Sequence, residues 1–433
     1  MRHRRICTPI HHQFHRQPAS KGKDQERQCV RFLTTAIPGP KSAAQISSNE
    51  ELAAIVHQFA PGVDYAFGYG SGVFRQQPSS PLIYQTNKGK SDADEIATTS
   101  PGMIDIILAV NDPLSWHKRN MERHYDHYST LARWGGPHFV TQLQVNFGAK
   151  VYFHPFVNMS LNMPRTQSNH PNIIQREIKY GVVSTKDLIQ DLLHWDYLYL
   201  AGRMHKPIVS IELTSTDGAD GTNMERIDAP ATKHDMRYEV EVAQRINLLS
   251  AVSASLLLQP PTSTQLIPTS QLYNTIASLS YTGDFRMQTG AEDPNKIKKL
   301  VETPGMIERW DDVYSETLVN MQKLGLLNVV ANSDSPHVAD TSRCLEISLM
   351  ERSVRKELVK NLPVRLQKHS DRIVGTNESI ESIRNGGMVL RQELANIVSP
   401  AAKSQSIKGF ITAGVGKSWK YALAKFAKGR LRK

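Results

Sequence analysis

The sequence has very little cysteine, with three cysteines in 433 residues, and two of them, Cys7 and Cys29, lie close to the N-terminus. Such a count excludes a disulfide scaffold and indicates a reducing compartment. The chain also lacks CxxC and paired Cys/His spacings, so a zinc site is not expected. No apolar run approaches the ~20 residues that span a bilayer, and we therefore expect any contact with a membrane to be peripheral.

Acidic residues are scarce at both ends of the chain. Residues 1–33 hold eight Lys/Arg against two acids, and residues 401–433 hold nine against none. The two ends thus carry +6 and +9 of a net charge of +11, which leaves −4 on residues 34–400. That balance argues against nucleic acid as a partner of the folded part of the chain. The composition, 39% hydrophobic and 21% charged, is typical of a globular protein.

The N-terminal residues 1–33 are rich in Arg and His and contain no apolar core of the kind that a secretory signal needs. We interpret them as a mitochondrial transit peptide. The alternative is a basic tail without a targeting role, because Asp24 and Glu26 interrupt the pattern.

Hydrophobic periodicity predicts a protein of the α+β class. The run MIDIILAV, residues 103–110, predicts a strand buried on both faces, and PIVSIEL, residues 207–213, predicts a second strand. Helical spacing of apolar residues predicts helices in 50–59, 185–202, 239–325 and 350–398. The polar, Gly-containing residues 217–238 have no periodicity and are interpreted as an inserted loop or linker.

A loop rich in glycine, FGYGSGVFRQ at residues 67–76, follows a β-like run. Glycines at 68, 70 and 72 would let the backbone approach an anion closely, and successive N–H groups can bind phosphate oxygens. The hydroxyl of Ser71 could add a further hydrogen bond. The pattern is neither a Walker loop nor GxGxxG, and a tight turn is the simpler explanation when the loop is taken alone.

Asp105 lies in the middle of the apolar strand 103–110. A buried carboxylate is costly unless a cation or hydrogen bonds compensate it, so either a metal or a structural partner is expected. A glycine–serine loop followed by a strand carboxylate resembles the polymerase-β-like nucleotidyltransferases, in which Mg²⁺ bridges carboxylates and a triphosphate. Their usual second acid is replaced here by Ile107. We therefore expect Asp112 to be the second metal ligand, with Glu212 a weaker candidate.

Longer strings extend the resemblance. The chain is similar to the mitochondrial CDP-diacylglycerol synthase family, also called the translocator assembly and maintenance proteins, over roughly residues 50–430. The matching strings are YGSGVFRQ, MIDIILAVNDPLSWH, REIKYGVVSTKDLIQDLLHWDYLYLAGRMHKP, SYTGDFRM and QSIKGFITAGVGKSWKY. Residues 217–238 have no counterpart in the family pattern.

The resemblance implies a reaction and an architecture. The reaction is the Mg²⁺-dependent conversion of CTP and phosphatidic acid to CDP-diacylglycerol and pyrophosphate, upstream of phosphatidylglycerol and cardiolipin. The implied architecture is a polymerase-β-like nucleotidyltransferase domain in 45–216, a helical, winged-helix-like second domain in 239–400, and a membrane-binding segment. It also places the protein on the matrix side of the inner mitochondrial membrane.

The resemblance implies site residues as well. Asp105 would hold Mg²⁺ and, together with Ser71, carry catalysis. Nucleotide binding would involve Gly68, Tyr69, Gly70, Ser71, Gly72, Lys179, Arg203 and Lys206, the last three as candidates for either the nucleotide or the lipid phosphate. For each basic residue the alternative is a solvated surface charge. Asp284 and Arg286 also lie in a matching string, SYTGDFRM, and they could belong to the site or form a structural ion pair.

Residues 406–433 form the basic C-terminal segment. On a helical wheel one face carries Val415, Trp419, Ala422, Leu423 and Phe426, and lysines cover the others. Such a helix suits an anionic bilayer surface, although a surface helix packed on the protein or a basic tail for RNA are alternatives. For the whole chain, the alternatives to the lipid cytidylyltransferase are an RNA-directed nucleotidyltransferase and a non-catalytic factor in protein import.

Overall fold

The structure, a computed structural model, describes residues 43–74, 103–163, 172–213, 232–260, 265–290, 292–331 and 343–413. These residues all belong to one compact unit, Gly39–Lys433. The predicted transit peptide and residues 414–433 of the basic C-terminal segment lie outside the described residues.

The larger of two sheets has five strands in the order β3-β4-β2-β1-β5. Their bounds are β1 Val63–Tyr69, β2 Ile104–Val110, β3 Tyr152–Met163, β4 Asn172–Ser184 and β5 Ile208–Ser210. β2 and β4 run parallel, and the other neighbouring pairs are antiparallel. A smaller antiparallel sheet, in the order β6-β8-β7, comprises β6 Gln265–Pro268, β7 Asn328–Ala331 and β8 Arg343–Ile347.

Besides a short 3-10 helix, Tyr125–His127, fourteen α-helices are present among the described residues. They are α1 Ala43–Val56, α2 Pro113–Arg123, α3 Thr130–Asn146, α4 Thr185–His194, α5 Ala201–Met204, α6 Thr232–Leu257, α7 Thr269–Leu279, α8 Phe285–Gln288, α9 Lys296–Glu302, α10 Met306–Lys323, α11 Arg352–Lys360, α12 Val364–Gln367, α13 Ser370–Val374 and α14 Ile380–Ala413. Together with the two sheets they confirm the α+β class. No helix in the described part of the chain is long and apolar enough to cross a membrane.

β2 is the central strand because its side chains are apolar on both faces. Ile106 and Leu108 pack with α1 into one hydrophobic cluster, and Ile107 and Ala109 belong to a second cluster on the opposite face. The second cluster continues without a break into α6, α7, α10 and α14. The sheet and the helical half of the chain therefore share one core.

Three predicted elements need correction. The helix predicted for 185–202 ends at His194, because Trp195 adopts a left-handed backbone conformation (φ 53°). A strand, β6, interrupts the helical run predicted for 239–325. Residues 232–238 of the predicted loop 217–238 belong to α6, whereas residues 214–231 lie outside the described part.

The end of α14 corrects the predicted start of the membrane-binding segment. Lys408 is fully buried, and its Nζ donates to the backbone oxygens of Gln144 (3.1 Å) and Phe147 (2.6 Å). The side chain of Gln405 accepts from the N–H of Ala149 and donates to the oxygen of Val151. Residues 405–408 thus fasten α14 to the end of α3 and the start of β3. A lysine used in this way cannot contact a bilayer.

Candidate active site

The glycine loop and Asp105 lie together at one end of the sheet. Tyr69, the last residue of β1, pairs with Asp105 on β2, and the chain then turns, with Val73 N–H donating to Gly70 O at 3.1 Å. Gly70 has φ +81°, and a Cβ there would stand 3.6 Å from Asp105 Oδ2. The backbone of the loop therefore directly adjoins the carboxylate, and the side chain of Ser71 is exposed beside it.

Gly68 lies inside β1 rather than in the turn. A Cβ at Gly68 would come within 3.0 Å of Leu52 Cδ1 and 3.1 Å of Val73 Cγ2. Its missing side chain serves the packing of α1 on the sheet. The close approach of backbone to a ligand, which the glycine pattern predicted, is available at Gly70 and Gly72.

Asp105 is less buried than the apolar strand predicted, since 22% of its side chain is exposed. Its partner is Lys179, which occupies the paired position on the parallel strand β4 and brings Nζ to 3.3 Å from Oδ1. The structure thus joins two predicted site residues through strand register. The carboxylate keeps an exposed edge towards the glycine loop.

Asp112 is not brought near Asp105. It follows the opposite end of β2, and the strand from Asp105 to Val110 alone spans ~17 Å. There it caps α2, accepting from Leu114 N–H and from Ser115 Oγ at 2.5 Å, and the hydrogen bond from Ser115 lowers its pKa. The prediction that Asp112 shares a metal with Asp105 is therefore wrong on distance alone.

Glu212 is also displaced from Asp105. It lies two residues beyond β5, and in that strand it is Ile208 that pairs with Tyr69. Glu212 therefore lies four residues farther along the sheet, ~13 Å from the row of Asp105, and two strands across. It cannot complete a metal shell around Asp105 in this arrangement.

The side chains available around Asp105 limit how a metal ion could be bound. Within the described ranges no group of three or more His, Cys, Asp or Glu side chains could hold an ion. Mg²⁺, however, is commonly bound by one or two carboxylates together with substrate phosphates and water. Asp105 fits an ion that arrives with a triphosphate, and the described residues do not fit an ion held by protein ligands alone.

Asp191 shapes the loop that precedes Arg203 and Lys206. Both of its oxygens are buried acceptors, and together they receive five backbone N–H groups, from residues 197 to 201. Burial raises the pKa of this carboxyl, and the hydrogen bonds from the backbone N–H groups of residues 197, 198, 200 and 201 oppose the shift. Within the loop Trp195 and Leu198 have positive φ, 53° and 49°, so this carboxylate stabilises a backbone that would otherwise be strained.

Arg203, on the short helix α5, faces three aromatic rings. Its Cζ lies 3.9 Å from the ring centroid of Tyr199, 5.5 Å from that of Tyr69 and 5.8 Å from that of Phe153. Lys179 shares the Phe153 ring, at 4.9 Å. Arg203 forms no ion pair with a described carboxylate; its Nη1 donates to Tyr199 O at 2.9 Å, and the Tyr69 hydroxyl also lies close to the guanidinium group. Arg203 is therefore available to an anion next to Asp105 and Lys179.

Tyr69 is placed between these groups. Its hydroxyl is buried, and no described residue gives it a hydrogen bond of ordinary geometry. Burial and then the nearby Asp105 raise its pKa, while the charges of Lys179 and Arg203 act in the opposite direction. A buried, unsatisfied hydroxyl beside two cations is a donor that a phosphate oxygen could satisfy.

Lys206 lies one turn beyond Arg203 and reaches the helical half. Its Nζ donates to Gly202 O and to Ser280 Oγ (3.0 Å), and it stands 5.1 Å from the ring centroid of Tyr281. Burial, with the neighbouring charges of Arg203 and Lys296, lowers its pKa to about 7. No carboxylate of the described chain pairs with it.

Some residues of this region were not predicted as site residues. Tyr199, Ser280 and Tyr281 all occur in the strings that resemble the family, and Asp191 does too, but nothing in the sequence marked Lys296. Asp284 and Arg286 form the structural ion pair that the sequence left open: the carboxylate is buried, caps α8 and receives Arg286 Nη2 at 2.6 Å.

The chain is similar to known proteins over most of its length. The family described as "Phosphatidate cytidylyltransferase, mitochondrial" matches residues 52–428. Curated proteins of that name are similar along most of their length. The one from Xenopus laevis is 33% identical, covering 86% of this chain and 93% of its own. The Bos taurus protein is 32% identical (89% and 97%), and the Schizosaccharomyces pombe protein 31% (89% and 84%). The chain belongs to the mitochondrial phosphatidate cytidylyltransferase family.

Proposed function

We propose that the protein transfers the cytidylyl group of CTP to phosphatidic acid, forming CDP-diacylglycerol and pyrophosphate for the synthesis of phosphatidylglycerol and cardiolipin. Membership of the family over residues 52–428 carries this proposal. The junction of the glycine loop with Asp105 and Lys179 supports it, because it places phosphate-binding groups around one carboxylate.

The reaction makes particular demands on the site. The phosphate of phosphatidic acid is already an anionic nucleophile, so no strong general base is required. Its approach to the triphosphate is opposed by charge repulsion, and catalysis should rest on neutralisation and in-line positioning. A site rich in cations and poor in general bases meets that demand.

Each group then has a role in the proposal. The N–H groups of Gly70 to Gly72 and the hydroxyl of Ser71 would bind the triphosphate tail, and Tyr69 would add its hydroxyl. Lys179 and Arg203 would neutralise charge at the reacting phosphates. Asp105 would hold Mg²⁺, which when bound would neutralise the triphosphate and assist departure of pyrophosphate. Asp112 and Glu212 have no part in it.

The finer architecture is also a proposal. A polymerase-β-like nucleotidyltransferase domain is supported by the order of glycine loop and strand carboxylate on a mixed sheet. A winged-helix-like part is supported by the small antiparallel sheet β6-β8-β7 together with α7 and α10.

We place the protein in the mitochondrion, as a peripheral protein on the matrix side of the inner membrane. The names of the relatives support the organelle, and the Arg- and His-rich residues 1–33 support import. Contact with anionic lipid would come from residues 414–433, which keep seven Lys/Arg and no acid.

The direct test uses purified protein, labelled CTP, Mg²⁺ and liposomes with or without phosphatidic acid. We expect labelled CDP-diacylglycerol only when both phosphatidic acid and Mg²⁺ are present. Absence of product from well-folded protein would contradict the proposal, and so would transfer of label to RNA in place of lipid.

A further inference from the structure

We propose that Lys206 and Lys296, which lie around the ring of Tyr281, form a separate subsite for a phosphate monoester, the headgroup of the lipid acceptor. The inference rests on the proposed function, since it assigns one part of the same site. It separates Lys206 from the residues that would bind the triphosphate.

The geometry of the subsite joins the two halves of the chain. Lys206 Nζ and Lys296 Nζ stand 5.1 and 5.4 Å from the ring centroid of Tyr281. Lys206 donates to Gly202 O and Ser280 Oγ, which uses two of the three N–H donors of its ammonium group. One donor of Lys206 remains for a ligand.

The charges around this place do not balance. Lys179 pairs with Asp105, Arg286 with Asp284 and Lys296 with Glu292 at 3.1 Å. Arg203 and Lys206, by contrast, have no carboxylate partner among the described residues.

Lys206 is exposed to the positive charges of both Arg203 and Lys296, and the single carboxylate of Glu292 offsets only one of these three cations, so an anion beside Lys206 would relieve their repulsion. Burial chiefly, and then the charges of Arg203 and Lys296, lower the pKa of Lys206. A phosphate monoester carries about −1.5 to −2 at pH 7, so it would favour the charged form of Lys206 and offset the excess positive charge.

The position favours the acceptor over the triphosphate. From the glycine loop outwards the cations follow in the order Lys179, Arg203, Lys206 and Lys296, as shown by their contacts with Asp105, Tyr69, Ser280 and Tyr281. In an in-line displacement the nucleophile lies opposite the leaving group. If pyrophosphate leaves at the glycine loop, the acceptor phosphate belongs at the outer pair, where 35% of Lys296 is exposed.

The transfer of the cytidylyl group to the acceptor phosphate requires no proton transfer. An oxygen of the acceptor phosphate forms a bond to the α-phosphorus of CTP, and the bond between that phosphorus and the bridging oxygen to the β-phosphorus breaks. Pyrophosphate leaves with the electron pair. Lys206 and Lys296 hold the nucleophile in position and reduce its repulsion from the triphosphate.

The test compares Lys296→Gln and Lys206→Gln with Lys298→Gln as the matched control. Lys298 lies on the same helix, is 69% exposed and pairs with Glu302, away from Tyr281. With dioctanoyl phosphatidate as acceptor, we expect KM for the lipid to rise about tenfold or more in the first two variants, as for loss of one charged hydrogen bond. The dissociation constant for CTP, measured without lipid, should stay within about twofold of the wild-type value.

Two results would overturn the assignment. If Lys206→Gln and Lys296→Gln weakened the binding of CTP as much as that of the lipid, both lysines would belong to the triphosphate site. A matching loss of inhibition by pyrophosphate would make the subsite one for the leaving group.

A binding experiment without CTP separates this inference from the proposed function. Wild-type protein should bind dioctanoyl phosphatidate more tightly than dioctanoyl phosphatidylglycerol, a phosphodiester, and Lys296→Gln should lose that preference. If the wild type makes no CDP-lipid but prefers dioctanoyl phosphatidate, the proposed function is refuted and the proposed subsite is supported. If the wild type is active and Lys296→Gln has the same KM as Lys298→Gln, the subsite fails alone.

Discussion

Asp105 and Lys179 are held side by side by the register of two parallel strands, and the glycine loop closes over the same carboxylate. Asp105→Asn keeps the shape of the side chain but removes the charge that would bind a cation. We expect turnover of CTP to fall at least about 100-fold, the usual scale for loss of one electrostatic contact to the transition state. Labelled CDP-diacylglycerol formation at saturating substrates measures it.

Asp112→Asn is the matched control for that variant, because it alters the other acid near β2. Asp112 caps α2 at the opposite end of the strand, so we expect an unfolding free energy lower by at most ~1 kcal/mol and nearly unchanged turnover. If Asp112→Asn lost activity as severely as Asp105→Asn, the exclusion of Asp112 from the metal site would be refuted.

Lys408 gives the protein a predictable dependence on pH. Burial lowers its pKa to about 7, whereas a lysine in an unfolded chain has a pKa of ~10.4. Between these values the unfolded chain binds more protons than the folded chain, so the free energy of unfolding rises with pH. The loss of stability caused by burying the charged lysine is fully present below pH 7 and disappears as the pH approaches 10.

We expect Lys408→Met to remove this contribution. Its unfolding free energy, measured in urea at pH 7, 8 and 9, should rise less steeply than that of the wild type, by up to ~1.4 kcal/mol per pH unit for one proton. Lys206 titrates in the same window in both proteins and cancels from the comparison. Identical slopes would show that Lys408 keeps its proton in the folded chain up to pH 9, so that burial does not lower its pKa.

At the scale of elements, the contact between α5 and the end of α7 sets the position of Arg203 and Lys206. Gly202 permits it, since a Cβ there would come within 2.2 Å of Ser280 Cβ. Gly202→Ala should separate the two segments, lowering the unfolding free energy by ~1–3 kcal/mol and reducing activity. Thermal unfolding and the liposome assay measure the two effects.

A second substitution provides the control for that prediction. In Gly202→Ala combined with Ser280→Gly, the clashing side-chain atoms are gone, and the nearest remaining atom of residue 280 would be 3.5 Å away. The double variant should be about as stable as Ser280→Gly alone, which should itself lose only ~1 kcal/mol because it removes the hydroxyl that accepts from Lys206. Additive losses would indicate that the clash is not the cause.

The elements differ in how far the sequence predicts them. β2 was predicted because its apolar run is continuous, and the start of α4 because Ser184 caps it. The long hairpin of β3 and β4 was not predicted, since its strands mix polar and apolar residues. β6, β7 and β8 have four or five residues each, which is too short for a periodicity.

The candidate site shows the same limit. The sequence order of the glycine loop and Asp105 indicated that they lie together, and they do. The position of Asp112 does not follow from the sequence, because Asp112 is close to Asp105 along the chain but lies beyond the other end of β2. Lys296 was missed because its approach to Lys206 depends on the packing of α9 near α7, which no local pattern records.

At the scale of the whole molecule, the C-terminal part divides into an anchored stretch and a remaining basic stretch. Deletion of 414–433 should leave the thermal stability unchanged and reduce flotation with anionic liposomes. Deletion of 405–433 should in addition lower the stability, because it removes Gln405 and Lys408 from their contacts with α3 and β3. If both deletions were equally stable, the anchoring role of residues 405–408 would be wrong.

The hydrophobic cluster that continues from the sheet into α6, α7, α10 and α14 also determines how the molecule would respond to being cut. Each half presents an apolar surface that is buried only by the other half. A chain opened between residues 214 and 231 should therefore stay associated as a two-piece complex that melts in a single transition. Either piece produced alone should be insoluble, and producing both together should restore a soluble enzyme.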